Sequence, residues 1–393
     1  MTDREIVLLS ARRTPIGALQ GALAGVDAAT LGATAIAAAL GDAGLAPAQL
    51  GEVFMGCVLP AGVGQAPARM AALAAGVPNS VGAVTVNKVC GSGMRTVMLA
   101  HDLIRAGSAR YLLAGGMESM SNAPYLLPRA RGGYRLGHGE LLDHMLYDGL
   151  EDPAGHRPMG AFAEATAERY GCSREAQDDF ARVSLERARR AIAEDAFAAE
   201  LVPVAVTVRR EQRTVVQDEE PGRADPARIP SLRPVFAREG TVTAASSSSI
   251  ADGAAALVVA DGDQARADGL TPLARIVGQS VFAQTPEWFT TSPVGAIDRL
   301  LEQIGWQVAD VDLFEINEAF AVVTMAAMQE LDLPHEKVNV NGGACALGHP
   351  IGASGARILV TLLHALQARG LRRGVAALCI GGGEATAIAI ERL

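Results

Sequence analysis

Cys90 is the first residue whose type and position suggest chemistry, because it stands between a strand-like and a helix-like segment. Its loop consists mainly of small residues and reads N-K-V-C-G-S-G. A thiol at such a place lies at a helix N-terminus, where backbone N–H groups and the helix dipole favour the nucleophilic thiolate. The competing interpretation is a packed, inert cysteine at the end of a strand.

Two further side chains could cooperate with such a thiol. His349 lies in the loop G-H-P-I-G, where Gly348 and Pro350 predict an unusual turn. An imidazole near a thiol can accept its proton and activate it. Cys379 ends the last strand-like segment, just before three glycines that begin at Gly381, and a second thiol there could act as a general acid or base. The alternatives are that His349 has only a structural role and that Cys379 is an inert residue of the core.

Asn317 begins the motif N-E-A-F-A, which follows the strand-like run V-D-L-F-E-I and opens a helix. Asparagine is a preferred N-cap residue, so helix capping is one interpretation. The other is that its amide holds a water that stabilises a developing oxyanion. The residues alone leave both interpretations open.

The segments that must position these residues alternate between strand and helix patterns. The run I-V-L-L-S-A-R-R predicts a strand, residues 27–43 predict a helix that ends near Gly44, and further strands and helices follow up to about residue 116. From about Ser119 to Ser249 the pattern is broken by Gly, Pro, Arg and Met, which predicts an inserted lobe that serves binding. The alternation then resumes to Leu393, and it predicts an α/β fold with a mainly parallel sheet covered on both faces.

An internal repeat joins the two alternating parts. Both contain V-x-V-N, a small-residue loop with S-G-x-R, a long helix, and an apolar strand that closes on G-G-x-E. The correspondence pairs Ser92–Arg95 with Ser354–Arg357, and Gly115–Glu118 with Gly381–Glu384. Two similar α/β halves are therefore expected to face each other around a shared site.

Composition narrows the class of protein. The chain has 393 residues, a net charge of −9 and five cysteines without a C-x-x-C pair. The acidic balance argues against nucleic acid as the main partner, and the cysteine spacing predicts neither a disulfide framework nor a metal site. No secretory leader is recognisable and the apolar runs end before about 18 residues, so we expect a cytoplasmic protein that does not insert into a membrane.

Taken together, the motifs resemble those of the thiolase family along essentially the whole chain. The blocks that carry the resemblance are N-K-V-C-G-S-G-M, N-E-A-F, G-H-P-I-G-A-S-G-A-R and C-I-G-G-G-E, supported by A-R-R-T-P-I-G and T-V-T-A-A-S-S-S-S-I-A-D-G-A-A-A. The resemblance implies duplicated α/β halves with central mixed sheets and an inserted loop domain that covers coenzyme A. The implied division is 1–118 completed by 250–270, then 119–249 as the loop domain, then 271–393.

The resemblance also implies a role for each candidate residue. Cys90 would be the acylated nucleophile, His349 its activator, and Cys379 the base or acid at the α-carbon. Asn317, through a water, and His349 would hold the enolate oxygen, and the backbone N–H groups of Cys90 and Gly381 would hold the oxyanion of the acyl-thioester intermediate. The implied chemistry is acyl transfer without metal or permanently bound cofactor, with coenzyme A and acyl-CoA as substrates.

Coenzyme A carries phosphates and an adenine, so its site needs cations and flat apolar surfaces. The inserted lobe contains several arginines, of which Arg223 is the candidate contact. By resemblance, the ligand wall comprises Leu150, Met159, Phe236, Ala244, Ser248, Ile250, Ala319 and Phe320. The chain departs from many relatives by carrying Pro158 where they have a histidine, which bears on the local coenzyme A or acyl contacts.

Several functions are compatible with these motifs. The first is condensation of two acetyl-CoA molecules to acetoacetyl-CoA, by a homo-oligomer such as a dimer or homotetramer, and the second is degradation of longer 3-ketoacyl-CoA substrates. A non-catalytic acyl-CoA or lipid-binding protein is a third possibility. A decarboxylating ketoacyl synthase is disfavoured, because such relatives place His where this chain has Cys379.

Overall fold

The strands and helices of the protein alternate as the sequence predicts, in a computed structural model that describes residues 4–393. The strands are β1 (Ile6–Arg13), β2 (Gly17–Ala18), β3 (Glu52–Gly56), β4 (Gly82–Val86), β5 (Tyr111–Ser119), β6 (Tyr125–Leu126), β7 (Leu142–Asp143), β8 (Val204–Val208), β9 (Glu211–Val215), β10 (Ala251–Asp261), β11 (Ala274–Ala283), β12 (Leu313–Ile316), β13 (Arg373–Ile380) and β14 (Glu384–Arg392). The helices are α1 (Ala28–Ala43), α2 (Pro67–Ala74), α3 (Ser92–Arg105), α4 (Met159–Tyr170), α5 (Arg174–Ala193), α6 (Glu220–Arg223), α7 (Gly262–Ala267), α8 (Ser292–Ile304), α9 (Ala321–Glu330), α10 (Ala344–Leu347) and α11 (Ile351–Ala368). The first helix illustrates the local signals, since Asp27 caps it by accepting the N–H of Thr30 and the left-handed Gly44 ends it.

The long strands form one sheet in the order β12-β13-β14-β11-β1-β10-β5-β3-β4, with β2 paired to β10. The prediction of a mainly parallel sheet is wrong, because among the strands of residues 4–393 only the pairs β3–β4, β3–β5 and β12–β13 run parallel. The reason is that β10 enters between β1 and β5 antiparallel to both, and β14 lies antiparallel to both β11 and β13. The α/β class with mixed sheets is confirmed.

Both faces of the sheet are covered, as predicted. Alternate residues of a strand point to opposite faces, so Val7 and Leu9 pack under α1 while Ile6 and Leu8 face the layer of α3 and α11. That central layer also packs against Ile388 in β14. The outer face of the second half is covered by α8. The central helices therefore lie between the two halves.

The two central helices cross with their backbones in contact. A Cβ atom added at Gly93 in α3 would lie 2.8 Å from the N of Ala356 in α11, and one added at Gly355 would lie 2.4 Å from the N of Met94. These glycines occupy equivalent places in the sequence repeat, so each half contributes the same small residue to the crossing. The prediction that two similar halves face each other agrees with this geometry.

The G-G-x-E segment that closes each copy of the repeat has a different structure in the two halves. Gly115–Glu118 lies inside the buried strand β5, whereas Gly381–Gly383 forms the turn between β13 and β14 with positive φ at Gly382 and Gly383. The predicted equivalence of the two G-G-x-E segments is therefore wrong as a structural statement. A glycine pair serves a close strand approach in one half and a tight turn in the other.

The stretch between β5 and β10 contains α4, α5, α6 and two short hairpins, β6–β7 and β8–β9. It packs onto the second half mainly through α4 against α9 and α5 against α10. The predicted polar hairpin is present at β8–β9, where Arg209 and Arg210 both adopt positive φ in the turn.

One helix contradicts the expectation that every apolar run is too short to span a membrane. By length and composition alone, α11 is apolar enough to cross a membrane. However, 83% of it is buried inside the protein, where it packs against α3, β5 and β10. A helix that is apolar on nearly all sides is also typical of a protein core.

Candidate active site

Cys90 lies in a tight turn between β4 and α3, as its spacing predicts. Val89 takes a left-handed conformation with φ of 45°, which is unusual for a β-branched residue. The hydroxyl of Ser92 accepts the N–H of Lys88 at 2.8 Å and donates to the carbonyl of Val89 at 2.6 Å. The first residue of α3 thus holds the turn that carries the thiol.

The turn lies directly against the end of β13. A Cβ atom on Gly91 would lie 2.3 Å from Cδ1 of Ile380, and Gly381 follows at the start of the next turn. The backbone N–H groups of Gly381 and of Cys90 itself act to lower the pKa of the Cys90 thiol. The structure therefore brings Cys90 together with the glycine turn of the second half.

The charge state expected for Cys90 needs correction. Cys90 is half-buried, and burial raises the pKa of its thiol to about 11, which outweighs the opposing effect of the two N–H groups. The negative charge of Glu118 acts in the same direction as burial. The helix N-terminus alone does not produce a thiolate in the unliganded protein, so the proton must leave by transfer to a base.

Cys379 lies one strand position before Ile380 and is fully buried. Burial raises the pKa of its thiol well above the usual range, and the nearby Cys90 thiolate would raise it further. The next residue, Ile380, packs against Gly91 beside Cys90, so the two thiols lie on adjacent chain segments. Cys379 packs with Phe162, Phe289 and Phe320, which gives it an apolar setting.

His349 lies between α10 and α11, and its loop is anchored to the lobe by its N–H, which donates to the carbonyl of Ser249 at 2.9 Å. Its Nδ1 lies 2.5 Å from the hydroxyl of Ser354, and that hydroxyl donates to the carbonyl of Pro350 at 2.9 Å. Since the hydroxyl proton is used in this way, Nδ1–H must donate to Ser354, which leaves a lone pair on Nε2.

The imidazole of His349 is neutral over the physiological range, because burial lowers its pKa to about 3 and the positive charge of Arg357 acts in the same direction. Nε2 is buried and has no hydrogen-bond partner among residues 4–393. Cys90 packs against the small apolar cluster that contains Ile351, two residues after His349. A neutral imidazole with a free lone pair is the form required of a proton acceptor.

Gly348 determines the direction of this loop, and Gly348→Ala is expected to destabilise the protein. The residue has φ of 102° and ψ of 166°, and such a conformation costs a non-glycine residue about 1–3 kcal/mol. A Cβ atom would also lie 2.8 Å from Cβ of Ala251, and overpacking adds about 1–3 kcal/mol. Urea denaturation measures the loss in the free energy of unfolding.

Gly305→Ala is the matched control, because Gly305 has φ of 70° and nothing within 4 Å of an added Cβ. It is expected to cost less than Gly348→Ala, since only the backbone strain applies there. Equal losses for the two substitutions would contradict the close approach of Gly348 to β10.

Asn317 is fully buried just beyond the end of β12, with its N–H donating to the carbonyl of Ala377 at 3.0 Å. The capping interpretation is wrong, because α9 begins at Ala321 and its N-cap is Phe320. The Oδ1 atom accepts from Nη2 of Arg357 at 3.4 Å. Within the described part of the chain, Nδ2 has no acceptor, so this amide retains a donor for a ligand or water.

The residues expected to line the coenzyme A site fall into groups. Leu150 and Ile250 pack against the same apolar cluster as Cys90, and Met159, Phe236, Ala319 and Phe320 pack around Cys379. The rings of Phe236 and Phe320 meet edge to face at 5.8 Å. Ser248 joins this second group, since its N–H donates to the carbonyl of Ala319 at 3.0 Å.

Arg223 and Ala244 lie elsewhere, along a cavity of about 330 Å³ between the lobe and α10. Its wall also contains Arg228, Ser249 and Cys345. Arg223 pairs with Glu219 at 3.0 Å and keeps about half of its side chain exposed. The predicted ligand wall is therefore distributed between the surroundings of the two thiols and a second pocket, whose lining contains Arg223 and Arg228 together with Glu220 and Asp225.

Several residues that hold the site were not assigned from the sequence. Glu118, buried in β5, accepts N–H groups from Val58, Leu59 and Gly352 at 2.8–3.1 Å, and burial raises the pKa of its carboxyl to about 7. Lys88 forms an ion pair with Glu384 across the two halves. Both carboxyls belong to the repeated G-G-x-E segments, which was the available signal.

The assembled arrangement contains two neighbouring thiols, one neutral imidazole and converging N–H donors. Among residues 4–393 no group of three or more His, Cys, Asp or Glu side chains has the geometry of a metal site. A thiol with an adjacent base and backbone donors can form an acyl-thioester, and a second thiol can move a proton next to it.

The fold and this site define a thiolase. The thiolase N-terminal domain matches residues 6–263 and the thiolase C-terminal domain matches residues 270–392, and the chain belongs to the thiolase family. The family membership expected from the motifs is thereby confirmed.

Full-length relatives carry related names. The chain is 51% identical over 392 residues to an acetyl-CoA acetyltransferase of Escherichia coli K12, covering 99% of this chain and 100% of the relative. It is 42% identical to the crystal structure of the Bacillus anthracis acetyl-CoA acetyltransferase, with a TM-score of 0.97 and 99% of each chain covered. It is also 42% identical to the Acat5 thiolase of Ascaris suum in complex with coenzyme A, with a TM-score of 0.94, covering 99% of this chain and 100% of that one.

Proposed function

We propose that the chain is an acetyl-CoA C-acetyltransferase, which condenses two acetyl-CoA molecules to acetoacetyl-CoA and coenzyme A through an acetyl group on Cys90. The observation that carries this proposal is the packing of the Cys90 turn, at Gly91, against Ile380, which stands between Cys379 and Gly381. The names of relatives that match along the whole chain support the acetyl substrate.

The first half-reaction transfers an acetyl group to Cys90. The Cys90 sulfur attacks the thioester carbonyl while Nε2 of His349 takes its proton, and the N–H groups of Cys90 and Gly381 hold the carbonyl oxygen as it becomes negative. The carbon–sulfur bond to coenzyme A then breaks, and its thiolate receives the proton from His349. Burial of His349 disfavours its protonated form, so the proton is readily passed on to the leaving thiolate.

The second half-reaction forms the carbon–carbon bond. The proton of Cys379 passes to His349, and the Cys379 thiolate removes a proton from the methyl group of a second acetyl-CoA. The enolate oxygen is held by Nε2–H of His349 and by the Asn317 amide through a water. The enolate carbon attacks the acetyl carbonyl, and the Cys90 thiolate leaves and is reprotonated by His349.

Coenzyme A takes part as a substrate and product rather than as a bound cofactor. Residues 119–249 are proposed to cover it, with the aromatic pair Phe236 and Phe320 and the methionine Met159 lining its path to the thiols. Arg223 and Arg228 line the second pocket beside Glu220 and Asp225, and their guanidinium groups are the proposed contacts of the coenzyme A phosphates. The proposed division of the chain places the two catalytic halves at 1–118 with 250–270 and at 271–393.

The proposal is tested with acyl-CoA substrates of increasing length. Rates are measured in both directions, with 3-ketoacyl-CoA of four and more carbons in thiolysis and with acetyl-CoA in condensation. We expect the highest kcat/KM for thiolysis at four carbons. A maximum at longer chains would instead establish the degradative function, and the absence of any acyl group on Cys90 would establish a non-catalytic binding protein.

The assembly and location are further parts of the proposal. We propose a homo-oligomer, with a homotetramer as the first candidate, and a cytoplasmic location. The edge strand β4 leaves Val84 exposed, and unpaired strand edges favour association. Light scattering of the purified chain measures its mass, and a monomer would refute the homo-oligomer.

A further inference from the structure

Arg357 is a buried cation in the second turn of α11, with only 2% of its side chain exposed. Its Nη1 donates to Oε1 of Glu315 at 2.9 Å, and its Nη2 donates to Oδ1 of Asn317 at 3.4 Å. Residues 315 and 317 are two positions apart at the end of β12, so their side chains lie on the same face. One guanidinium therefore reaches both.

We propose that Arg357 is a positioning residue that orients the amide of Asn317, so that its Nδ2 faces the water that holds the enolate oxygen in the condensation step. This inference rests on the proposed function. It adds to that function a residue that contacts no substrate. This residue determines which end of the Asn317 amide faces the reacting groups.

The orientation follows from the hydrogen-bonding capacity of the two groups. A guanidinium has only donors, so the amide atom that faces Arg357 must be the oxygen. A rotated amide would place its NH₂ group against a buried cation, at the cost of a lost hydrogen bond and repulsion between donors. Nδ2, which has no acceptor within residues 4–393, is thereby kept free for the reaction.

Glu315 serves to hold the guanidinium in place. It is buried, and burial raises the pKa of its carboxyl to about 7 while the Arg357 charge opposes that rise. The planar fork of arginine can donate to two acceptors at once, whereas the ammonium of lysine is a point charge on a flexible stem. Lysine at position 357 is expected to keep the ion pair with Glu315 and to release Asn317.

The competing interpretation is that Arg357 only neutralises Glu315 and contributes to stability. The two interpretations differ in which half-reaction is affected. Transfer of the acetyl group to Cys90 does not use the Asn317 amide, whereas formation of the enolate does. Loss of orientation should therefore slow condensation selectively, and loss of structure should slow both steps.

Arg357→Lys is the direct test, because it retains the positive charge next to His349. Labelled acetyl-CoA measures the rate of Cys90 acetylation, and acetoacetyl-CoA formation from the pre-formed acetyl-enzyme measures condensation. We expect acetylation within about 3-fold of the wild-type rate and condensation slowed about 30-fold or more, since removal of one oxyanion donor costs about 10²–10³ in rate.

A double-mutant cycle with Asn317→Ala separates positioning from a general effect. If Arg357 acts through Asn317, adding Arg357→Lys to Asn317→Ala should cause no further loss of condensation. Multiplying losses, or an equal loss in both half-reactions, would overturn the inference. Arg13→Lys is the matched control, because Arg13 is an equally buried arginine that pairs with Glu200 and Asp218, and it should not change the ratio of the two rates.

A second variant keeps the inference testable if Arg357→Lys folds poorly. In Arg357→Met combined with Glu315→Leu, the buried pair is replaced by apolar groups, which often retains stability. It should again lose condensation selectively, and equal effects on both steps would refute the positioning role. A wild-type protein that fails to acetylate Cys90 would refute the proposed function itself, which distinguishes the two failures.

Discussion

Cys90→Ala is expected to abolish acyl transfer, with a loss of about 10³-fold or more in kcat, because no other group can carry the acetyl intermediate. The fold should persist, since the thiol is small and half-buried and the turn is held by Ser92 rather than by the sulfur. Incubation with labelled acetyl-CoA followed by mass analysis of the peptides measures the acetyl group directly.

Cys172→Ala provides the control for this substitution. Cys172 is a buried cysteine that follows the end of α4, and it has no assigned role in the reaction. It should retain the label on Cys90 and the condensation rate. Acetylation of the Cys90→Ala protein at another residue, with turnover retained, would contradict the assignment of the nucleophile.

Cys379→Ser is expected to separate the two half-reactions. A serine hydroxyl is a much weaker acid than a thiol, so the general base is lost, which costs about 10²–10⁴ in the rate of condensation. Cys90 acetylation should continue, because its donors are the backbone N–H groups of Cys90 and Gly381. Single-turnover measurements of acetyl-enzyme formation and of acetoacetyl-CoA release report the two steps.

The same single-turnover measurements can refute the role of Cys379 as the base. If Cys379→Ser condenses acetyl-CoA at the wild-type rate, another group abstracts the methyl proton. If it fails to acetylate Cys90, the two sulfurs act in one step rather than in sequence. Either result would require a different division of labour between the thiols.

The local structure around Cys90 could be predicted from the sequence because its signals are local. A strand pattern, a run of small residues and a helix pattern place the cysteine at the start of α3, and the repeat places His349 at the start of α11. Asp27 and Gly44 likewise mark the ends of α1 by their own chemistry. These features depend on residues a few positions apart, which is the range over which sequence periodicity is informative.

The direction of the strands could not be predicted in this way. Antiparallel pairing of β10 with both β1 and β5 joins segments separated by more than 100 residues, and no local pattern records the partner. The two G-G-x-E segments show a related limit, since the same letters form a strand in one half and a turn in the other.

Charge states and supporting contacts also could not be predicted from the sequence. The thiolate expected for Cys90 from its helix N-terminus is opposed by burial, which depends on the packed loop and the end of β13. Asn317 resembles an N-cap by type, but α9 begins four residues later. Arg357 was visible as part of the repeat, whereas its contacts with Glu315 and Asn317 arise only from the crossing of α11 over β12.

The backbone contact between α3 and α11 has a mechanical consequence. Cys90 precedes one helix and His349 precedes the other, and at Gly93 and Gly355 no side chain separates the two rods. Side chains can change rotamer and absorb a displacement, but peptide groups in direct contact transmit it. The spacing between nucleophile and base thus depends on a backbone contact with no side chain to yield, which buffers it against motion in the surrounding loops.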